Sequence, residues 1–286
     1  GNKAYSRFEG MWAFALYDIS KGELTLSRDC FSEKPLYYYQ NSDGIYFASE
    51  PKAIFKLIGS NLDINLNHIK NYLVGGYKSL KKFDTNFFEE LYQIEAGHFC
   101  IINKDKHKKS IDYRNWNFNS QNQSLSYKDS VDMVREALIN SIKLRMRSDV
   151  PIAFCLSGGI DSNALVSLAK KFVTNDIHGF SIINTDERYD ERDYIRHSVN
   201  KLQLKHTEVE ISKNNFLPKL RQQILKHDAP ICTINYFAHW QLMEKICQSG
   251  YKVSISGTGA DEIFSGYMDH HLAYLKVMND IDKKRF

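Results

Sequence analysis

Apolar and polar positions change rhythm near the middle of this chain. Residues 11–17 alternate large and small side chains, with Trp12, Phe14 and Leu16 on one side, which predicts a packed strand. Lys21-Gly22 turns it into a second strand over 23–27. Runs at 36–39 and 45–48 flank Asn41-Ser-Asp-Gly44, a hairpin pattern. A helix is predicted over 65–73, closed by Gly75-Gly76, and a further strand pair over 91–102 around Ala96-Gly97. The basic run 104–109 reads as a solvated loop. Residues 120–124 are polar, and a domain boundary is placed there, giving an antiparallel first domain over 1–118 and a second over 125–286.

Beyond the boundary the period lengthens and then alternates. Val131, Val134, Leu138 and Ile142 predict a helix ending near Arg147. A strand over 152–156 follows, then Ala164, Leu165, Leu168, Ala169 and Phe172 at helical spacing. Strands over 177–183, 206–211 and 253–256 are separated by helices over 190–202, 216–226 and 236–248. In the first of these, Tyr194, Ile195, Val199 and Leu202 share a face. Such alternation predicts an α/β domain with a mostly parallel sheet covered on both faces.

Composition narrows the classes. In 286 residues, 43% hydrophobic and 25% charged content is that of a globular chain long enough for two domains. A formal charge of +4, scattered along the chain, gives no case for nucleic acid. No apolar run approaches the ~20 residues of a membrane helix. Five cysteines without a CxxC pair fit a reducing cytoplasm.

The chemistry concentrates where the strand over 152–156 meets its helix. Gly158 and Gly159 let backbone amides approach an anion, Ser157 and Ser162 add hydroxyls, and a helix starting near Ser162 offers its positive end. Asp161 would repel a bare phosphate, so it makes sense mainly with Mg²⁺ between them. A glycine turn with a capped helix is the other reading of the same residues. No Lys follows the glycines as a Walker loop requires, and Cys155 stands where a nucleophile elbow needs Gly. Asp261 follows a similar glycine-bearing turn, and in a parallel sheet the two turns open at one edge.

The run Arg147-Ser-Asp-Val-Pro151 with Leu156-Ser-Gly-Gly-Ile-Asp-Ser162, and the run from Ser256 to Tyr267, resemble the two signatures of the glutamine-dependent asparagine synthetases. Upstream, residues 8–18, Arg28-Asp29, 34–38 and 48–54 resemble the second half of that family's glutaminase domain. The resemblance implies an N-terminal-nucleophile glutaminase portion followed by a pyrophosphatase-loop synthetase domain. It implies ATP and Mg²⁺, with Leu156 and Ile182 at the adenine, Ser157, Gly158, Gly159 and Ser162 at the phosphates, and Ser256 and Gly257 on the nucleotide by backbone contacts. Asp161 and Asp261 would hold the metal. The implied reaction activates a carboxylate as an acyl-adenylate, releases pyrophosphate, and forms an amide with ammonia from glutamine. A homodimer is the oligomeric expectation.

Two departures from the pattern matter. Thr258 stands where the family usually has Glu, a residue implicated in the ammonia step, and Lys205, His206 and His227 are the candidate substitutes. Ser32 and Glu33 stand where it usually has Gly and an aliphatic residue. Thr258 keeps open amidation of another carboxylate, such as a sugar uronic acid in surface polysaccharide synthesis, or a catalytically silent nucleotide-binding module. Position 1 is Gly, not the Cys such a glutaminase needs, so the expectation is a fragment that does not hydrolyse glutamine.

Overall fold

Asp18 closes the first turn: its carboxylate accepts from the amides of Ser20 and Lys21, and Gly22 takes φ +65 beyond it. This joins β1 (Ala13–Asp18) to β2 (Glu23–Arg28), antiparallel with Ala13 opposite Arg28. The computed structural model describes residues 2–80, 85–114, 125–184 and 186–281. The expected boundary at 120–124 lies outside the described residues.

Two units form. One comprises Gly1–Ser124 with Asn215–Tyr236, the other Leu125–Asn214 with Phe237–Phe286. In the first, the predicted hairpin is present as β3 (Tyr37–Gln40) and β4 (Ile45–Ala48). Asn41 shapes its loop, the side-chain oxygen accepting from the Asp43 and Gly44 amides. Helices α1 (Pro51–Ile58) and α2 (Leu66–Gly75) follow. The side chain of Asn65 caps the latter by accepting from the His68 amide.

Strands β5 (Tyr92–Gln93) and β6 (His98–Ile102) do not pair with one another, contrary to expectation. The first joins β3, completing a sheet of order β4-β3-β5. The second lies between β2 and β7 (Lys108–Asp112) in a sheet of order β1-β2-β6-β7. The basic run is solvated as expected, with Lys104, His107, Lys108 and Lys109 exposed, but from Lys108 it is strand and not loop. Lys106 Nζ donates to the carbonyls of Asn41 and Ser42, and Lys108 Nζ stands over the rings of Tyr38 and Tyr92 at 4.8 and 4.9 Å.

Leu26, Cys100 and Ile102 from one sheet meet Leu36, Tyr38, Ile45 and Ile94 in one cluster. On the other face of β1 and β6, Trp12, Phe14, Phe99 and Ile101 pack with Tyr5 and Tyr113, leaving Leu16 exposed. The residues around 28–34 are held from inside. Arg28 donates to the carbonyls of Ser32, Lys34 and Ile94, and Asp29 accepts from the amides of Trp12, Phe31, Glu33 and Lys34. Ser32 takes φ +58, the left-handed conformation that a glycine would adopt freely.

The second unit runs α3 (Tyr127–Arg145), β8 (Ile152–Cys155), α4 (Ile160–Phe172), β9 (His178–Ile183), α5 (Arg192–Leu202) and β10 (Lys205–Glu210). The chain then enters the first unit as α6 (Phe216–His227) and the residues up to 236. There the Lys52 amide donates to Asp228 (3.1 Å), Lys52 Nζ to the Lys226 carbonyl (2.7 Å), and the Tyr72 hydroxyl to the Ile231 carbonyl (2.9 Å). The second unit resumes at Phe237, within α7 (Asn235–Gln248), and continues through β11 (Val253–Ile255), α8 (Ala260–Phe264) and α9 (Met268–Ile281).

Its four strands are parallel in the order β10-β9-β8-β11. Phe154, Leu156 and Ile183 pack with Ile142, Val166 and Ile195 on one face. Ala153, Phe180 and Val209 pack with Leu242 and Ile246 on the other. Both faces are covered, as the alternation of strands and helices predicts. Tyr194 is a correction to the predicted face of α5. Ile195, Val199 and Leu202 join the core, while Tyr194 is 71% exposed. Among the described residues no helix is long and apolar enough to cross a membrane.

Candidate functional site

The pairing of β11 with β8 sets Ile255 opposite Phe154, so the chain leaves both strands side by side at their carboxyl ends. The Leu156 amide donates to the Phe180 carbonyl at 2.9 Å, which extends the ladder one residue past β8. Residues 157–159 then form the loop, with Gly159 as the residue before α4. The helix begins at Ile160, two residues earlier than predicted, so Asp161 and Ser162 lie in its first turn.

Ser162 organises this loop. It is buried, and its hydroxyl accepts from the Ser157 amide at 3.1 Å. It bonds the Ser157 hydroxyl at 3.0 Å, where either oxygen can donate, and its own proton also faces the carbonyls of Ser157 and Gly159 at 3.3 Å each. Both serine hydroxyls thus serve the loop itself. The Asn163 amide nitrogen adds bonds to the same carbonyls, at 3.0 and 2.8 Å. Asn163 Oδ1 is buried without a hydrogen-bond partner among the described residues.

The second loop closes against the first. A Cβ on Gly257 would stand 2.9 Å from Asp161 Cβ and 3.0 Å from the Ser162 amide nitrogen. Only a glycine allows that approach. Ser256 Oγ donates to Thr258 Oγ1 at 3.1 Å, and both residues are exposed. Gly259, at φ +98, starts α8, which carries Asp261 in its first turn, and Gly266 lies directly against the Asp261 carboxylate. Glu262 accepts from the Tyr267 hydroxyl at 2.9 Å, a supporting contact.

Ser157, Gly158, Gly159, Ser256 and Gly257 thus fall on two adjoining loops, and Asp161, Ser162 and Asp261 on the first turns of the helices that follow them. Leu156 and Ile182 do not come together, because their side chains enter clusters on opposite faces of the sheet. Lys205 and His206 begin β10, at the amino end of a parallel sheet whose signature loops lie at the other end. The His206 ring bonds Ser181 Oγ at 2.8 Å, and burial lowers its pKa. His227 belongs to the first unit. Burial pushes the Cys155 thiol up, which keeps it protonated and unsuited to nucleophilic attack.

The family described as Asparagine synthase matches residues 133–283, more than half of the chain. The chain belongs to the asparagine synthase family. A family described as Glutamine amidotransferase domain matches residues 1–114. The chain is 30% identical, over 96% of its length and 53% of the relative's, to a putative glutamine-hydrolyzing asparagine synthetase 2 of Methanocaldococcus jannaschii. It is 24% identical, over 92% of its length and 40% of the relative's, to a protein named Amidase chry2 of Gibberella zeae. The chain thus spans about half or less of the length of these relatives. Among solved structures, an NH3-dependent NAD synthetase of Campylobacter jejuni gives a TM-score of 0.32 at 17% identity, covering 48% of this chain and 60% of that one.

Sequence reasoning missed two groups at the site. One is Asn163, an amide in the first turn of α4 beside the glycines. The other is Glu191, whose carboxylate reaches the Gly158 amide at 2.9 Å. Its only sequence signal is its place in the connection from β9 to α5, at the end of a parallel sheet where such connections gather.

Proposed function

We propose that the second unit binds ATP on the two signature loops and that the whole protein uses it to amidate a carboxylate. In this reading the carboxylate attacks the α-phosphorus, pyrophosphate leaves into the loop at 157–159, and ammonia derived from glutamine displaces AMP from the acyl-adenylate. The observation that carries it is the contact of Gly257 with Asp161 and Ser162, which joins both glycine-bearing turns at the carboxyl end of a parallel sheet. The first turn of α4 adds the positive end of a thirteen-residue helix. Leu156 and Ile182 would then serve the adenine through main-chain groups, their side chains being committed to the core.

The donor set fits Mg²⁺ that arrives with phosphate. Asp161 and Asp261 are two hard carboxylates, and Mg²⁺ commonly takes one or two of these plus phosphate oxygens and water. Among the described residues no group of three or more His, Cys, Asp or Glu could hold a metal as a self-contained cage. The ion would offset charge on the leaving pyrophosphate. In calorimetry with a non-hydrolysable ATP analogue and Mg²⁺, Asp161→Asn is expected to weaken binding roughly tenfold, about 1.4 kcal/mol. Unchanged affinity and metal dependence would sink the reading.

The acceptor is proposed to be a carboxylate other than free aspartate, such as a sugar uronic acid. Thr258 supports this, since its hydroxyl is no carboxylate base near neutral pH. So does the match to a relative whose name is not that of an asparagine synthetase. Pyrophosphate release by the whole protein should respond to uronic-acid sugars more than to aspartate. Turnover of aspartate at about 10⁴ M⁻¹s⁻¹ or above would count against it.

A further inference from the structure

One carboxylate reaches the phosphate loop from outside it. Glu191 precedes α5, and its Oε2 accepts from the Gly158 amide at 2.9 Å. The neighbouring amides are satisfied within the loop and first turn, Ser157 by Ser162 Oγ at 3.1 Å and Gly159 by Ser157 Oγ at 3.2 Å. Of these three donors, Gly158 alone is held by a formally charged group. The fit is close: a Cβ on Gly158 would stand 3.0 Å from the Cβ atoms of Glu191 and Tyr194, and 3.4 Å from the Glu191 carboxyl carbon. Glu191 is itself exposed, so its side chain can swing away without opening the core.

We propose that Glu191 is a tethered anion that occupies the Gly158 amide in the free protein and is displaced when a polyphosphate arrives. This deepens the ATP-binding reading above and rests on it. The physical reason is competition. One N–H directs one strong hydrogen bond, so a carboxylate oxygen and a phosphate oxygen cannot both take it at full strength. Two anions at that spacing also repel, most strongly when no cation lies between them. Glu191 therefore raises the concentration of ligand needed to fill the loop, and a metal-bound polyphosphate is penalised less than a bare one. The loop is in this way tuned toward the magnesium complex.

The test is calorimetric titration of inorganic pyrophosphate, with and without Mg²⁺, into the wild-type chain and Glu191→Gln. Glutamine keeps an acceptor oxygen of the same reach and removes the charge. Without metal, the variant is expected to bind roughly fivefold more tightly, about 1 kcal/mol, with a smaller gain when Mg²⁺ is present. In ¹⁵N-glycine-labelled protein, the Gly158 amide signal should move on Glu191→Ala, and again when pyrophosphate is added to wild type. Equal or weaker metal-free binding by the glutamine variant overturns the proposal. So does a loss confined to the Mg²⁺ titration, which would make Glu191 a metal ligand, and so does an unmoved Gly158 signal. If neither protein binds pyrophosphate or ATP, the nucleotide reading fails and this inference with it. Equal binding by both overturns the inference alone.

Discussion

Replacing Asp29 with alanine is expected to destabilise the first unit by about 4 kcal/mol. The side chain is 1% exposed and accepts from four amides: Phe31 at 3.0 Å, Glu33 and Lys34 at 2.9 Å, and Trp12 at 3.3 Å. Its own main chain adds three more ties: its amide donates to the Trp12 carbonyl, and its carbonyl accepts from the Ser32 and Gly97 amides. Deleting the carboxylate leaves those four donors without their acceptor. It also leaves the buried Arg28 guanidinium without the negative charge beside it. Urea unfolding followed by tryptophan fluorescence would report the loss, since Trp12 packs against this turn. A change below about 1 kcal/mol would show that water or relaxation satisfies the donors.

Gly257→Val is expected to weaken binding of an ATP analogue about a hundredfold. The first added carbon would already meet Asp161 Cβ at 2.9 Å and the Ser162 amide at 3.0 Å, and a branched side chain adds two more. The Ser162 amide belongs to the first turn of α4 and cannot swing aside as a long side chain could. The two loops must therefore part, with an overpacking cost of about 1–3 kcal/mol to the second unit. Gly44→Ala is the control, because a Cβ at Gly44 meets nothing within 4 Å. Affinity within twofold of wild type for Gly257→Val would show that loop contact is dispensable for binding.

The strands and helices were largely legible because each buries one face, and period two or 3.6 records which face that is. What failed depended on partners. Residues 92–93 and 98–102 look like a hairpin across Ala96-Gly97, yet β5 is only two residues long and joins another sheet. Leu156 and Ile182 looked like neighbours at one site. The register that sets Cys155 opposite Phe180 places them on opposite faces, and no single-strand pattern carries that information. Lys108 is exposed as expected, but its aromatic partners, Tyr38 and Tyr92, are distant in sequence and leave no local pattern. Glu191 escaped notice for the same reason, its contact with Gly158 spanning 33 residues. The glycines were legible because close approach leaves only one residue type available.

The return of residues 215–236 to the first unit bears on how the chain folds as it is made. The bond from the Lys52 amide to Asp228 spans 176 residues, and that from Tyr72 to Ile231 spans 159. During synthesis the two sheets can pair early, since their strands all lie before residue 113. The surfaces of α1 and α2 that receive Lys226, Asp228 and Ile231 must wait until most of the second unit has emerged from the ribosome. Contacts of such long separation slow folding and prolong the exposure of unfinished surface. In this chain the unit that begins first is interrupted by ninety residues of the second before its last segment is made.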